Sequence, residues 1–243
     1  PDYKDLPAGW PGIFFSSSSK DNYLKHAIIK NAYQGIIAQD LSLDANPKLT
    51  MSQCVVDNIY DAGVFGINTN IYADNCLISN CGSNILLELG GDYRFINCTV
   101  ASYNNFFITH KNAVLQVSNA AMQGGVTYTS ALNVFFQNCI FWGDGGNVDD
   151  EVVVDKEGTD MFSVNFDHVL YRAKNDVANG MFDAGSIKNA DPGFDSIDVS
   201  HSYYDFHLKD NSPAVNAGAV TIFTKDLDDK LRDANPDIGC YEK

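Results

Sequence analysis

Apolar residues along this chain fall in strand-sized pieces, and no apolar pattern keeps a helical period over ten residues or more. The pieces read "LTMSQCVV", "IYADNCLIS", "NILLELG", "YRFINCTVA", "FFITH", "AVLQVSNA" and "NVFFQNCIF", divided by Asn, Gly and Asp. That texture predicts short β-strands separated by turns. Four of the pieces share a register: "QCVV" at 53–56, "NCLI" at 75–78, "NCTV" at 97–100 and "NCIF" at 138–141. Cys54, Cys76 and Cys98 follow one another at steps of 22, and Cys139 comes 41 later. "NAAM" at 119–122 fills that gap, with Ala120 standing 22 after Cys98 and 19 before Cys139. Looser copies occur at "HAII" 26–29 and "DHVL" 167–170.

A period of this length predicts a solenoid, and a unit of about 22 residues is too short for a βαβ crossover of roughly 30. Three short strands and three turns per unit describe a parallel β-helix. A Greek-key or jelly-roll sandwich also uses short strands, but it has no reason to repeat one residue at a fixed step. In a β-helix, equivalent positions of successive coils lie one strand spacing apart, about 4.8 Å, so like residues stack. Asn75, Asn97, Asn119 and Asn138 are expected as a polar ladder at a corner. Cys54, Cys76, Cys98, Ala120 and Cys139 are expected to point inward beside it, with Val56, Ile78, Val100, Met122 and Phe141 filling the core. The expected organisation is a single all-β domain over 1–243 with about seven to nine coils. Coils occupy 1–172, a loop or short hairpin is inserted at 143–160, and 173–243 holds the last coils and an irregular C-terminal cap folded against the C-terminal end.

The formal charge of −15 disfavours nucleic acid and anionic membranes and suits neutral glycans, cations or basic partners. The six cysteines sit mostly in the repeated apolar context, so stacked free thiols are expected, not a disulfide framework or a zinc site. No stretch reaches the roughly 18 to 20 apolar residues of a membrane-spanning helix.

The last quarter of the chain carries "DPGF" at 191–194, "YDFHLKDNSPAVNAG" at 204–218, "DLDDKLR" at 226–232 and "PDIGCYE" at 236–242. Together with "GWPGIFF" and "IIKNAYQGI" near the front, these segments resemble bacterial surface β-helix proteins of the choice-of-anchor Q type, within the pectate-lyase-like superfamily. The resemblance implies a right-handed helix on an exported or surface-held protein. It also implies attachment through a segment preceding Pro1, for instance a lipidated cysteine.

Polysaccharide lyases and hydrolases use this kind of fold, and their chemistry needs converging carboxylates or a base. Asp144, Asp149, Asp150 and Glu151 form the densest acidic group, expected to be solvated loop charge with at most a weak Ca²⁺ site. A lyase base has few candidates: His110 and Lys111 read as a strand-end pair, and Arg94, Arg172 and Lys174 lack partners in sequence. No catalytic residue is therefore assigned, and no cofactor is expected apart from Ca²⁺. His201 and His207 read as surface or hydrogen-bonding residues. Binding is easier to support, because aromatic rings on a sheet face stack on sugars while Asn and Asp take hydroxyls. The candidates are Tyr93, Tyr103, Asn104, Asn105, Trp142 and Asp144. The expected function is a non-catalytic secreted or cell-surface module, monomeric, that binds a polysaccharide or a surface protein. A polysaccharide lyase or glycoside hydrolase and a purely structural spacer are the alternatives.

Overall fold

The computed structural model describes residues 5–243 and is a right-handed parallel β-helix of triangular section. Its first sheet stacks Ile13–Phe15, Ile36–Gln39, Leu115–Ser118 and Val152–Asp155 around the front halves of two long strands, Ala62–Asp74 and Ser83–Ile96. The back halves of those long strands join Asn22–Lys25, Leu49–Ser52, Leu132–Gln137, Phe162–Asp167 and Met181–Phe182 in the second sheet. The third sheet runs through Ile28–Lys30, Val55–Asp57, Leu77–Ser79, Thr99–Tyr103, Ile140–Asp144, Leu170–Tyr171 and Ile187–Lys188. Its seven strands count seven coils among the described residues.

The core sits inside the triangle and is built of aligned rows. Ile29, Val56, Ile78, Val100, Phe141 and Tyr171 share one register on the third sheet. On the second sheet Phe95, Phe136, Phe166 and Phe182 stack with ring centroids 5.4, 5.1 and 4.2 Å apart. Each buried ring contributes roughly 1.5–3 kcal/mol by leaving water. The corner before the third sheet turns through His26, Gln53, Asn75, Asn97, Asn138 and His168, all left-handed with φ between 49° and 52°. Asn reaches that conformation at lower cost than most residues and its amide can bond locally, which explains why the sequence repeats it. The amides of Asn138 and Asn97 bond directly, Nδ2 to Oδ1, at 2.9 Å.

The cysteine row is present at the next position. The carbonyls of Cys54, Cys76 and Cys98 accept the N–H groups of Leu77, Thr99 and Ile140 in the following coils at 2.9–3.0 Å. All six cysteines are free and buried. "DHVL" aligns one residue differently from the expectation: His168 takes the Asn position, and Val169 takes the cysteine position, its neighbour Leu170 donating to the Cys139 carbonyl.

Ala120 leaves the row. Ala120–Gln123 pairs antiparallel with Val126–Thr129, a hairpin inserted in the fifth coil, and Met122 on it is 76% exposed instead of in the core. Asn119 consequently leaves the ladder and bonds both the N–H and the carbonyl of Glu157. The spacing matched because the corner loop at 104–114 and the hairpin together lengthen the fifth coil to 41 residues, close to two ordinary steps. The 143–160 stretch, expected to be an insertion, contains a regular strand of the first sheet, Val152–Asp155, between two corner loops.

The irregular C-terminal segment covers the helix from the side. Phe194, Phe206, Leu208, Ala214, Ile238 and Cys240 pack on Leu77, Ala101, Ile140, Trp142 and Leu170, the outward row of the third sheet. An antiparallel hairpin, Phe194–Asp198 with Tyr203–Leu208, forms part of this cover. The segments at 226–232 and 236–242 clasp each other: Arg232 pairs with Glu242 at 3.1 Å, both side chains nearly buried, and the Glu242 N–H donates to Asp226. Arg232 also donates to Asn75 Oδ1 at 3.0 Å, and the Gln53 amide donates to the Asp226 carbonyl at 2.7 Å. The clasp thereby reaches the second and third coils.

Candidate functional site

A cleft of about 820 Å³ lies where the end of the third sheet meets this tail. Parallel pairing sets one wall. Ala101 is in register with Trp142 and Tyr103 with Asp144, so two adjacent coils set Tyr103 one strand spacing from a carboxylate and place Trp142 diagonally across from it on the same face. Asn104 follows directly. From the tail come Asp191, Phe194, Ile197, Lys209 and Asn211.

Trp142 is held from both sides, packed among the tail apolar residues and facing the Arg172 guanidinium 6.0 Å from its ring centroid. Arg172 donates to the Gly143 carbonyl and stands 3.5 Å from Asp144 Oδ1, which also accepts the Gly145 N–H at 2.8 Å. Asp144 itself is exposed, so this pair is screened and positions the carboxylate more than it stabilises the fold. The Tyr103 ring stacks on Tyr204 at 6.3 Å. Burial pushes the Tyr103 phenol up, and the Asp191 and Asp144 carboxylates push it in the same direction. It is therefore a neutral hydrogen-bond donor at any ordinary pH.

Beneath the cleft, His110 Nε2 and Glu151 Oε1 meet at 2.8 Å with both side chains buried. Glu151 Oε2 accepts the Val114 N–H, and Asn104 Oδ1 accepts the His110 N–H at 2.7 Å. A β-carbon on Gly143 would overlap this pair, which is why the strand needs glycine there. From the sequence, His110 is expected at a strand end and Glu151 as a solvated loop acid. Both are interior, and together they fix the floor under Asn104 and Gly143.

Tyr103, Asn104, Trp142 and Asp144 are thus brought together, and the other two binding candidates are not. Tyr93 is fully buried in the core, its hydroxyl donating to the Gly90 carbonyl at 3.0 Å. Asn105 caps its own loop by accepting the Phe107 and Ile108 N–H groups. The proposed Ca²⁺ acids also disperse. Asp149 pairs with Lys174 at 2.9 Å, Asp150 accepts from Asn175, Glu151 is interior and Asp144 stays at the rim. A different group, Asp167, His168 and Asp183, places three ligand atoms within 4.8 Å of one another, a set able to take a divalent ion. Lys209, Asp191 and Asn211 escaped the sequence reading because they lie outside the repeat. The "DPGF" and "DFHLKDN" segments were the available signal.

No family model and no curated protein matches the chain. Among solved structures it is similar to "Crystal structure of pectate lyase Pel9A", with TM-score 0.54 and 12% identity over 98% of this chain. The likeness is one of fold. The chain spans 65% of that structure's length. No helix among the described residues is long and apolar enough to cross a membrane.

Proposed function

We propose that the cleft between the fourth and fifth coils and the C-terminal segment binds a saccharide chain. The observation that carries this reading is the facing of Tyr103, its register partner Asp144 on the next coil and Trp142 two residues before Asp144, by Asp191, Lys209 and Asn211 of the tail. Aromatic surface suits the apolar faces of pyranose rings, while mixed carboxylate, amide and ammonium groups suit hydroxyls. A secreted or surface-held location, a lipid anchor and kinship with the choice-of-anchor Q type belong to the same proposal and rest on the tail motifs.

A second reading, cleavage of the bound polysaccharide, is favoured by the resemblance in fold to a pectate lyase and by Lys209 standing in the same cleft as two carboxylates. A lyase needs a base and a hydrolase needs an acid and a base; Lys209, Asp144 and Asp191 are of the right types. One panel separates the readings. The protein is incubated with neutral and uronic polysaccharides and scored for retention on immobilised glycan and for reducing ends or unsaturated uronate. Retention without products, reduced tenfold or more by Lys209→Ala or Asn211→Ala, is the expected outcome. Both residues are exposed, so folding is spared. Products absent from a heat-killed control and lost in Lys209→Ala would establish turnover instead. No retention on any glycan would overturn the proposal.

A further inference from the structure

The corner of the sixth coil carries a second constellation, formed by residues that do not line the cleft. We propose that Asp167, His168 and Asp183 form a binding site for a divalent transition metal of the Zn²⁺ class, tying the last two coils together. His168 Nδ1 lies 2.6 Å from Asp167 Oδ1 and 3.0 Å from Asp183 Oδ2. The two remaining carboxylate oxygens are already held by the protein. Asp167 Oδ2 accepts from the Gln137 amide at 2.6 Å, while Asp183 Oδ1 accepts from the His168 backbone N–H at 2.9 Å and the Ser186 hydroxyl at 2.8 Å. One oxygen of each acid is thus anchored by an outer partner and the other converges on Nδ1, the arrangement in which second-shell donors orient metal ligands.

An imidazole Nδ1 carries at most one proton, so it cannot donate fully to two carboxylates at once. A cation between the three atoms satisfies all of them. Around an ion about 2.0–2.2 Å from each ligand, neighbouring donors are roughly 3.0–3.5 Å apart, so the groups need to separate by only about half an ångström. Gly185 packs so closely on the ring that a β-carbon there would come within 2.5 Å of it, and this contact helps to hold the imidazole with Nδ1 toward the two carboxylates. The three side chains are each about one-third exposed, leaving coordination positions for water. One nitrogen and two oxygens select a borderline ion, since Ca²⁺ and Mg²⁺ prefer oxygen alone and thiolate-seeking ions lack sulfur here.

The repeat itself supplies the decisive variant. Asn75, Asn97 and Asn138 occupy the same left-handed corner position as His168, so His168→Asn removes the ligand and keeps a side chain the corner accepts. Chelator-treated protein is titrated calorimetrically with Zn²⁺ and, separately, with Co²⁺ followed by visible absorption. Expected are one saturable Zn²⁺ site per chain, affinity lower by tenfold or more in His168→Asn and in Asp183→Asn, and no change in His207→Gln. The Co²⁺ spectrum should show nitrogen and oxygen ligation with no thiolate charge-transfer band. Absence of a saturable site in the wild-type protein would overturn the proposal. So would binding that survives His168→Asn, or a Co²⁺ spectrum with sulfur ligation, which would place the ion on the cysteines.

Discussion

At the residue scale, the corner asparagines do two separable jobs. Asn97 holds φ at +52°, and its Oδ1 accepts from Asn138 in the next coil at 2.9 Å. Ala at this position would lose the amide bond and carry a β-carbon in a left-handed conformation, whereas Gly would lose only the bond. Asn97→Ala should therefore destabilise by about 1–3 kcal/mol, and Asn97→Gly by about 1 kcal/mol less. Urea unfolding of the three proteins checks the order; equal losses would mean that the conformation costs nothing. The cysteines at the next position of the repeat are fully buried and fill the core. Burial in the apolar core pushes the Cys76 and Cys139 thiols up, which disfavours the thiolate form at these two positions.

At the scale of elements, the hairpin 120–129 is an appendage to a coil that closes without it. The Ser130 N–H donates to the Asn119 carbonyl at 3.0 Å, so the two ends of the insertion already meet. Met122, Val126 and Tyr128 on it are 76%, 52% and 51% exposed, and little core is lost with them. Replacing 121–128 by a Gly-Gly turn should leave the thermal midpoint within a few degrees, as measured by circular dichroism, since only a surface ladder is removed. The same hairpin shows what a repeat can and cannot disclose. Cys54, Cys76 and Cys98 were readable because each coil presents the same inward slot one strand spacing from the last. Ala120 fitted the count while belonging to an antiparallel pair, because spacing records chain length and says nothing of strand direction. Half the cleft was readable for the first reason: Tyr103, Asn104, Trp142 and Asp144 sit on coils. Its other wall, and Asp183, which completes the group with Asp167 and His168, depend on segments whose positions no period specifies.

At the scale of the whole molecule, the tail is fastened by charge as well as by apolar contact. His207 lies 2.6 Å from Asp205 and 3.1 Å from Asp228, stacked on Tyr241 with centroids 3.8 Å apart, and so links the tail hairpin to the clasp. Partial burial acts to lower its pKa, but the two carboxylates outweigh it and raise the value above 6.5. A raised histidine contributes stability that is fully present below its unfolded pKa and is lost as the pH rises through the folded one. The difference in thermal midpoint between the wild-type protein and His207→Gln should accordingly be larger at pH 6 than at pH 9. A difference that grows with pH would contradict the pairing.

The side-on tail also has a consequence for biosynthesis. A bare solenoid can add coils one by one as they leave the ribosome, each seated on its predecessor. Here the outward row of Leu77, Ala101, Ile140 and Leu170 stays open to water until its cover, ending in Ile238 and Cys240, has been made. Every nascent chain thus passes through an interval in which a nearly finished helix displays a greasy strip along its flank. Crowded intermediates of that kind associate with one another, so slowing translation or truncating the terminus should send product to inclusion bodies while the coils themselves remain capable of winding.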